Sequence, residues 1–308
     1  SKSVRNYIII ARSHAAETGA PEIWRSLSVG VGAAPGHFFV WEVQLSKSTP
    51  LSSTAPLEEP LIMAHRGLSS VAPENTLAAF AAAAEAGVEW VELDVALTEE
   101  GLIPVIHDAT TDRTTNRSGS VYSLTGRDLE VVDAGSWFSP QFAGQTIPTL
   151  DEVVAQANKL DLNLNVELKS IDEGLRPSVA LVEKTLAALT KFRPDLDLMI
   201  SSFSPLLLAE VAKCDNAPLT AWVTMEETMA EGWFSVMEIT GAAYIHPDER
   251  ALTKHLVSEI RSSGYGVNPW TVNSLARANE LLNWGCTGVI SDVAGAVLAG
   301  PGASKRIR

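Results

Sequence analysis

The hydrophobic positions of this chain fall into two patterns that meet near residue 60. Before that point, short runs rich in Ile, Val, Phe and Trp are separated by Gly, Pro and Ala, which is typical of strands joined by turns. These runs cover 7–11, 26–32 and 38–45. We therefore expect a short β-rich extension over 1–45, which either packs on the main domain or forms the end of a β-sandwich. The Ser-, Pro- and Thr-rich segment 46–60 predicts a linker.

From residue 61 onward, apolar runs of strand length alternate with longer segments of helical periodicity. Alternation of this kind with eight strands predicts an α/β fold, a (β/α)₈ TIM-type barrel over 61–300. Capping signals mark the helices. Asn75 is the expected N-cap and Gly87 the C′ residue of a helix over 76–86, and Thr149 with Glu152 forms a capping box. The predicted strands are 61–64, 90–95, 164–168, 198–202, 219–223, 243–245, 265–270 and 288–291.

Residues 96–148 break this alternation. The apolar run 103–107 follows the second strand after the turn 98–101, which is too short for a parallel crossover of about a dozen residues. We expect 103–107 to form an extra strand that folds back beside the second one. The segment 109–148, rich in Thr, Ser, Gly and Asp, is then predicted to lie over the barrel mouth. Together with the extra strand it forms a small insertion over about 102–148.

The net charge, the cysteine count and the lengths of the apolar runs argue against several classes of partner and of fold. A net charge of −14 argues against a nucleic-acid partner and against electrostatic docking on anionic membranes. It leaves an anionic substrate open, because local cations and a metal decide binding inside a cleft. Cys214 and Cys286 are too few for a disulfide framework, and no apolar run approaches the roughly 18 residues of a membrane span. The start at Ser1-Lys2-Ser3 has neither a methionine nor a signal-peptide pattern, which suggests a fragment or a processed product.

Charged side chains stand on one face of two predicted strands. Side-chain alternation places Glu92 with Asp94, and Asn165 with Glu167 and Lys169, opposite their apolar neighbours. The apolar face of a barrel strand packs on helices, so the carboxylates should point inward near the C-terminal strand ends. Unpaired buried carboxylates are costly, and a hard cation such as Mg²⁺ or Ca²⁺ would resolve this. The simpler alternatives are a solvated strand face and an internal salt bridge to the lysine.

Two histidines stand at the ends of apolar runs, each beside a charged residue. His65 precedes Arg66, and His107 precedes Asp108. Histidine transfers protons near neutral pH, and the planar guanidinium of arginine offers a fork of donors to a phosphate. The alternative is that each histidine is a structural hydrogen-bonding residue. We interpret Asp108 as a turn or orienting residue, and Trp270 as either a core residue or part of the barrel mouth.

The ordered set of short motifs resembles the glycerophosphodiester phosphodiesterases, which belong to the phosphatidylinositol-phospholipase-C-like phosphodiesterase barrels. The resemblance covers about residues 61–300, and the family has a TIM-type barrel with an insertion after the second strand. Two departures are Ser291, where many members have Thr, and Val293-Ala294, where a pair such as Arg-Pro is frequent. The motifs are His65-Arg66-Gly67, Pro73-Glu74-Asn75-Thr76, Glu92-Leu93-Asp94-Val95, Val105-Ile106-His107-Asp108, Val166-Glu167-Leu168-Lys169, Ser202-Phe203, Trp270-Thr271-Val272-Asn273 and Gly288-Val289-Ile290-Ser291-Asp292.

The resemblance implies a metal-dependent phosphodiesterase that uses Mg²⁺ or Ca²⁺ and two histidines. Its expected reaction is hydrolysis of a glycerophosphodiester to glycerol 3-phosphate and an alcohol. The implied roles are metal binding by Glu92, Asp94 and Glu167, acid–base catalysis by His65 and His107, phosphate contact by Arg66 and Lys169, and a secondary site at Glu74, Asn75 and Trp270.

Four questions stay open at this point: the substrate, the cellular setting, whether the barrel is active, and the oligomeric state. The substrate is either a small molecule or a polymer, since lysophospholipids and glycerol-phosphate polymers such as teichoic acid carry the same phosphodiester unit. The run 38–45 loosely resembles the end of carbohydrate-binding or phage-tail β-sandwiches, which favours an extracellular or virion-surface setting over a cytoplasmic one. A catalytically inactive barrel would have lost a histidine or a metal carboxylate, whereas this sequence retains both. Oligomeric state is not readable.

Overall fold

The structure, a computed structural model, describes residues 28–32, 38–42, 60–170, 174–229 and 232–300. The chain divides into two compact units, Ser1–Lys47 and Ser48–Arg308. In the first unit, strands β1 (Ser28–Gly32) and β2 (Phe38–Glu42) pair antiparallel. They correspond to two of the three predicted strands. The run 7–11 and the predicted linker up to residue 59 lie outside the described residues and stay predictions.

The second unit contains eight parallel strands in one sheet. They are β3 (Leu61–Ala64), β4 (Trp90–Val95), β5 (Asn163–Leu168), β6 (Leu198–Ser202), β7 (Leu219–Thr224), β8 (Tyr244–Pro247), β9 (Gly266–Val267) and β10 (Gly288–Ser291). Their order in the sheet is β10-β3-β4-β5-β6-β7-β8-β9. The two ends of the sheet approach each other: Thr287 donates its N–H to Val267 O at 2.8 Å, and Ile290 donates to Pro269 O at 2.9 Å. This nearly closed barrel confirms the predicted fold class.

Helices follow the barrel strands along the chain, as the alternation predicted. They are α1 (Leu77–Glu85), α2 (Gly126–Val131), α3 (Leu150–Leu160), α4 (Leu175–Leu189), α5 (Pro205–Val211), α6 (Glu226–Met229), α7 (Trp233–Thr240), α8 (Lys254–Ser262), α9 (Leu275–Trp284) and α10 (Ala294–Leu298). Among the described residues, no helix is both long enough and apolar enough to cross a bilayer. The capping box before α3 is confirmed, because Thr149 and Glu152 each cap the backbone N–H of the other.

The start of α1 differs from the prediction by one residue, and the difference bears on the site. Thr76, not Asn75, is the N-cap, because its hydroxyl accepts from the N–H of Ala79 at 3.3 Å. Asn75 instead has a left-handed backbone with φ of 57°, which asparagine tolerates better than most residues. Its side chain is therefore turned away from the helix and toward the barrel.

Strand alternation sorts the barrel core into two layers. On β4, Val91, Leu93 and Val95 belong to the large apolar core formed with the helices. Trp90 lies on the opposite face together with Glu92 and Asp94. Trp90 belongs to a separate apolar cluster with Met63, Met199, Ala221, Tyr244 and Ile290. Apolar residues thus fill one end of the barrel interior, and the carboxylates of β4 lie toward the C-terminal end.

Two predicted strands are shorter in the structure, and proline explains both. The run 103–107 forms only isolated bridges, Val105 with Val95 and Pro104 with Thr149, because Pro104 has no N–H to extend the pairing. The strand predicted over 265–270 ends as β9 at Val267, before Pro269, for the same reason. The insertion has a small core of its own, formed by Ala96, Ile106, Val121, Leu124, Leu129, Val132, Ala134 and Ile147.

Candidate active site

Three carboxylates meet inside the mouth of the barrel. Glu92 and Asp94 come from β4 and Glu167 from β5, and one oxygen of each lies within 4.8 Å of the other two. The parallel register pairs Asp94 directly with Glu167, which explains why alternation on two neighbouring strands converges on one point. Their exposed fractions are only 3%, 1% and 8%. The face predicted from the sequence is therefore the face that the structure turns inward.

Burial and the neighbouring charges shift the pKa values of these carboxylates. It raises the pKa of Glu92 well above its ordinary value, and the neighbouring Asp94 and Glu167 add to the rise. Burial also raises the pKa of Glu167. For Asp94 burial acts in the same direction, but Lys169 and Arg66 outweigh it and lower the pKa to about 2. Carboxylates that hinder one another's ionisation, all with hard oxygen donors, fit a divalent cation of the Mg²⁺ or Ca²⁺ class.

Two cations border the carboxylates. Lys169 Nζ lies 2.7 Å from Glu167 and 3.4 Å from Asp94, and Arg66 Nε lies 3.4 Å from Asp94. Burial opposes the charge of both cations, yet the carboxylates raise their pKa values above the ordinary ones. Three carboxyl groups thus share two cationic side chains. A bound divalent cation would add positive charge and make the mouth attractive to a phosphate.

The loop after β3 is folded tightly enough to hold Arg66 in the site. Arg66 has a φ of 56° and donates its backbone N–H to Glu92 Oε2 at 2.9 Å. Gly67 follows with a φ of 78°, and a Cβ there would lie 2.7 Å from Ala79 Cβ on α1. Only glycine permits this approach between loop and helix. The backbone thus contributes to orienting Glu92.

Asn75 and Glu74 support the site from the loop before α1. Asn75 Nδ2 donates to Asp94 Oδ2 at 2.8 Å, and Asp94 donates its backbone N–H to Asn75 Oδ1 at 3.2 Å. The two hydrogen bonds fix the orientation of the Asp94 carboxylate. Glu74 accepts from Arg66 Nη1 at 2.8 Å and so orients the guanidinium. The structure places both residues beside the carboxylates, where the resemblance expected a secondary site.

His65 is oriented by a residue from the last barrel strand. Its Nδ1 lies 2.7 Å from Asp292 Oδ1, just beyond β10. Burial opposes ionisation of Asp292, but hydrogen bonds from His65, Asn273 and Ser69 outweigh it and lower the pKa to about 2. An ionised carboxylate only accepts, so the neutral imidazole carries its proton on Nδ1. Nε2 of His65 is thereby left for proton exchange.

His107 has the same arrangement on the insertion. Its Nδ1 lies 2.6 Å from Asp108 Oδ1, as expected for an orienting carboxylate. Burial lowers the pKa of His107, and Lys169 and Arg66 add to this against the attraction of Asp94. His107 shares a cavity with Glu74 and Asn75 between insertion and barrel, so it faces the barrel site; the other lining residues are Val105, Ile106, Thr114, Ala134 and Ile147. The lowered pKa favours the neutral form of this imidazole.

Trp270 lies at the far side of the mouth. Its ring nitrogen donates to His246 O at 2.9 Å, and its ring packs edge-on against Phe203 with centroids 5.5 Å apart. Lys169 Nζ lies 5.6 Å from the centroid of Phe203, where a cation is attracted to the ring. Trp270 is half-buried and combines both predicted possibilities, since it packs against the apolar cluster of the barrel interior and also contacts Phe203 beside Lys169.

Sequence reasoning assigned no role to three residues of this site. Asp292 and Phe203 directly follow barrel strands within recognised motifs, as His65 does. Their position at a strand end could therefore have identified them too. Arg113 contacts both Glu74 and Asp108. It lies in the insertion, where no periodic pattern singles out one polar side chain among many.

Comparisons with known proteins point to one family. A sequence model of the glycerophosphoryl diester phosphodiesterase family matches residues 65–296. A glycerophosphodiester phosphodiesterase from Caldanaerobacter subterraneus subsp. tengcongensis is 36% identical over 233 residues, which are 75% of this chain and 93% of that protein. A glycerophosphodiester phosphodiesterase of Bacillus subtilis is 34% identical over 248 residues, 75% of this chain and 83% of that protein.

A solved structure extends the comparison to the fold. It is an Oleispira antarctica phosphodiesterase in complex with the product sn-glycerol-3-phosphate. The two structures align with a TM-score of 0.75 at 30% sequence identity, over 78% of this chain and 96% of the other. Sequence and fold thus point to the same family.

Proposed function

This chain belongs to the glycerophosphoryl diester phosphodiesterase family, and from that membership we propose that it hydrolyses glycerophosphodiesters to glycerol 3-phosphate and an alcohol with the help of a divalent metal. It is a phosphoric diester hydrolase. The observation that carries the proposal is the convergence of Glu92, Asp94 and Glu167 within 4.8 Å in a buried mouth. The product bound to the Oleispira antarctica relative supports glycerol 3-phosphate as one product here.

The phosphate of the substrate is bound by the cationic side of the mouth. Arg66 and Lys169 contact the non-bridging oxygens, and Glu74 holds the Arg66 guanidinium in place. Glu92, Asp94 and Glu167 would hold Mg²⁺ or Ca²⁺, which offsets the negative charge that develops on the phosphate in the transition state. Asn75 keeps Asp94 oriented for this task.

The two histidines move the protons. One Nε2 accepts the proton of the nucleophile, either the substrate's own glycerol hydroxyl or a water molecule, as its oxygen bonds to phosphorus. The other histidine donates a proton to the alcohol oxygen as its bond to phosphorus breaks. Attack by the glycerol hydroxyl gives a cyclic phosphate that water then opens. Asp292 and Asp108 hold both rings through Nδ1. The histidine that acts as base is neutral with a free Nε2, and the one that acts as acid is an imidazolium that gives up its Nε2 proton.

The acid–base roles are tested with alanine variants of both histidines and glycerophosphocholine as substrate. We expect His65→Ala and His107→Ala each to lower kcat by about 10²- to 10⁴-fold. His255→Ala is the matched control, since His255 is exposed on α8 and should keep wild-type turnover. Near wild-type turnover of either active-site variant would contradict the proposal.

The metal dependence is tested separately. Treatment with EDTA should abolish turnover, and adding back Mg²⁺ or Ca²⁺ should restore it and identify the preferred ion. Release of glycerol 3-phosphate is then measured for diesters with different alcohols, for a lysophospholipid and for teichoic acid, which identifies the preferred alcohol or polymer. Full activity after exhaustive chelation would contradict the metal requirement.

A further inference from the structure

Arg113 of the insertion bridges two carboxylates at the mouth. Its Nη1 and Nη2 donate to the two oxygens of Glu74 at 2.7 and 2.8 Å. Its Nε and Nη2 also donate to the two oxygens of Asp108 at 2.7 and 3.0 Å. One guanidinium therefore engages both oxygens of two side chains, a geometry that a lysine cannot reproduce.

Each of these carboxylates orients a residue of the proposed mechanism. Asp108 contacts His107 Nδ1 at 2.6 Å, and Glu74 accepts from Arg66 Nη1 at 2.8 Å. Arg113 thus stands at the centre of a continuous chain of hydrogen bonds that runs from His107 to Arg66. A displacement of Arg113 would release both ends together.

The segment around His107 needs such an anchor. Its backbone pairing with the barrel is limited to isolated bridges, whereas His65 directly follows strand β3. The Arg113 side chain is 44% exposed, and exposed ion pairs add little to the stability of a fold. Four hydrogen bonds from so exposed a side chain therefore point to a role in geometry.

We propose that Arg113 is a positioning residue that fixes His107 and Arg66 relative to each other, and that removing it impairs turnover more than folding. This inference rests on the acid–base role of His107 and the phosphate contact of Arg66 proposed above. The side-chain contacts of Arg113 are with Glu74 and Asp108, so it acts through these two carboxylates.

The experiment compares Arg113→Gln with a neighbouring control. Arg117 lies in the same insertion, is 40% exposed and pairs with Asp128, away from His107. We expect Arg113→Gln to lower kcat about 10- to 100-fold, with a smaller rise in KM and almost no change in Tm. Arg113→Lys should recover part of the loss, because it restores the charge without the fork. Arg117→Gln should match the wild type in all three measurements.

A double-mutant cycle shows whether Arg113 acts through Asp108. The effects of Arg113→Gln and Asp108→Asn on kcat should overlap in the double variant, since both act on His107. Additive effects would overturn the inference, as would a kcat of Arg113→Gln within about twofold of wild type. If His107→Ala is inactive while Arg113→Gln is fully active, only this inference fails. If His107→Ala is active, the proposed function fails as well. If Arg113→Gln does not fold, the kcat and KM of Arg113→Lys decide in its place.

Discussion

The active site has two halves that are held in place by different means. The barrel half carries Glu92, Asp94 and Glu167 on regular strands with almost complete burial. The insertion half carries His107, on a segment joined to the barrel by isolated bridges, and relies on half-exposed ion pairs. The first half is fixed by backbone register and the second by side-chain contacts. Substitutions should therefore act on the two halves in different ways.

The two histidines show the same difference in how their side chains are held in place. Both contact a carboxylate through Nδ1, at 2.7 Å for His65 and 2.6 Å for His107. The partner of His65 follows β10, the strand that pairs with β3 although it is the last along the chain, so that the pairing of the first and last barrel strands positions the two residues. The partner of His107 is the next residue in the chain. The first contact depends on the global fold, and the second on local structure of the insertion.

The largest effect is expected in the barrel half. Asp94→Asn removes a charge that Asn75, Arg66 and Lys169 all contact, so both metal affinity and phosphate binding should suffer. Several kcal/mol of transition-state stabilisation correspond to a loss in kcat/KM of about 10³-fold or more. Turnover and calorimetric titration with Mg²⁺ and Ca²⁺ measure both losses. Retained ion affinity would remove Asp94 from the metal ligands.

The next comparison concerns packing. Leu164 in β5 and Leu124 in the insertion are both almost fully buried. Leu164→Ala should lower the free energy of unfolding by about 2–5 kcal/mol, as measured by urea denaturation. Leu124→Ala should instead open the insertion alone, seen as faster hydrogen exchange over 109–148 with a smaller shift of the global transition. Equal shifts would mean that insertion and barrel unfold as one unit.

The carboxylate partner of His65 is the third test. Asp292→Asn replaces a carboxylate, which can only accept from His65 Nδ1, by an amide that can also donate. The substitution also disturbs the hydrogen bonds of Asp292 with Ser69 and Asn273. We expect kcat to fall about 10- to 100-fold, because the imidazole loses its fixed tautomer. Asp108→Asn should cost less, since Arg113 and Glu74 remain linked. A larger loss for Asp108→Asn would reverse the comparison.

The same contrast separates the parts of the site that could be predicted from the sequence from those that could not. Alternation identified the faces of β4 and β5, and polar residues at strand ends identified His65 and Arg66. The N-cap of α1 was placed on Asn75 because Asn and Thr are both good caps, and only the contact with Asp94 decides between them. Arg113 was beyond sequence reasoning, since an irregular loop has no period that fixes where a side chain points.

The last test concerns the pH dependence of stability and lies within the barrel. Burial lowers the pKa of His246 to about 3, and its Nε2 accepts from Asn268 at 3.2 Å. The unfolded chain binds this proton near pH 6.5 and the folded one does not, so stability falls as the pH drops from 6.5 toward 3. The slope should reach about 1.4 kcal/mol per pH unit. Urea unfolding at several pH values should show a shallower slope in His246→Gln, and equal slopes would assign the effect to other groups.

The segment before α1 gives four neighbouring residues four separate tasks. The Pro73 carbonyl accepts from Thr76, Glu74 binds Arg66, Asn75 binds Asp94, and Thr76 caps the helix. No spare residue separates the tasks, so the segment should tolerate single replacements far better than any change in its length. An engineer who alters the substrate range of this enzyme should therefore vary the insertion loop and leave the spacing of 73–76 untouched.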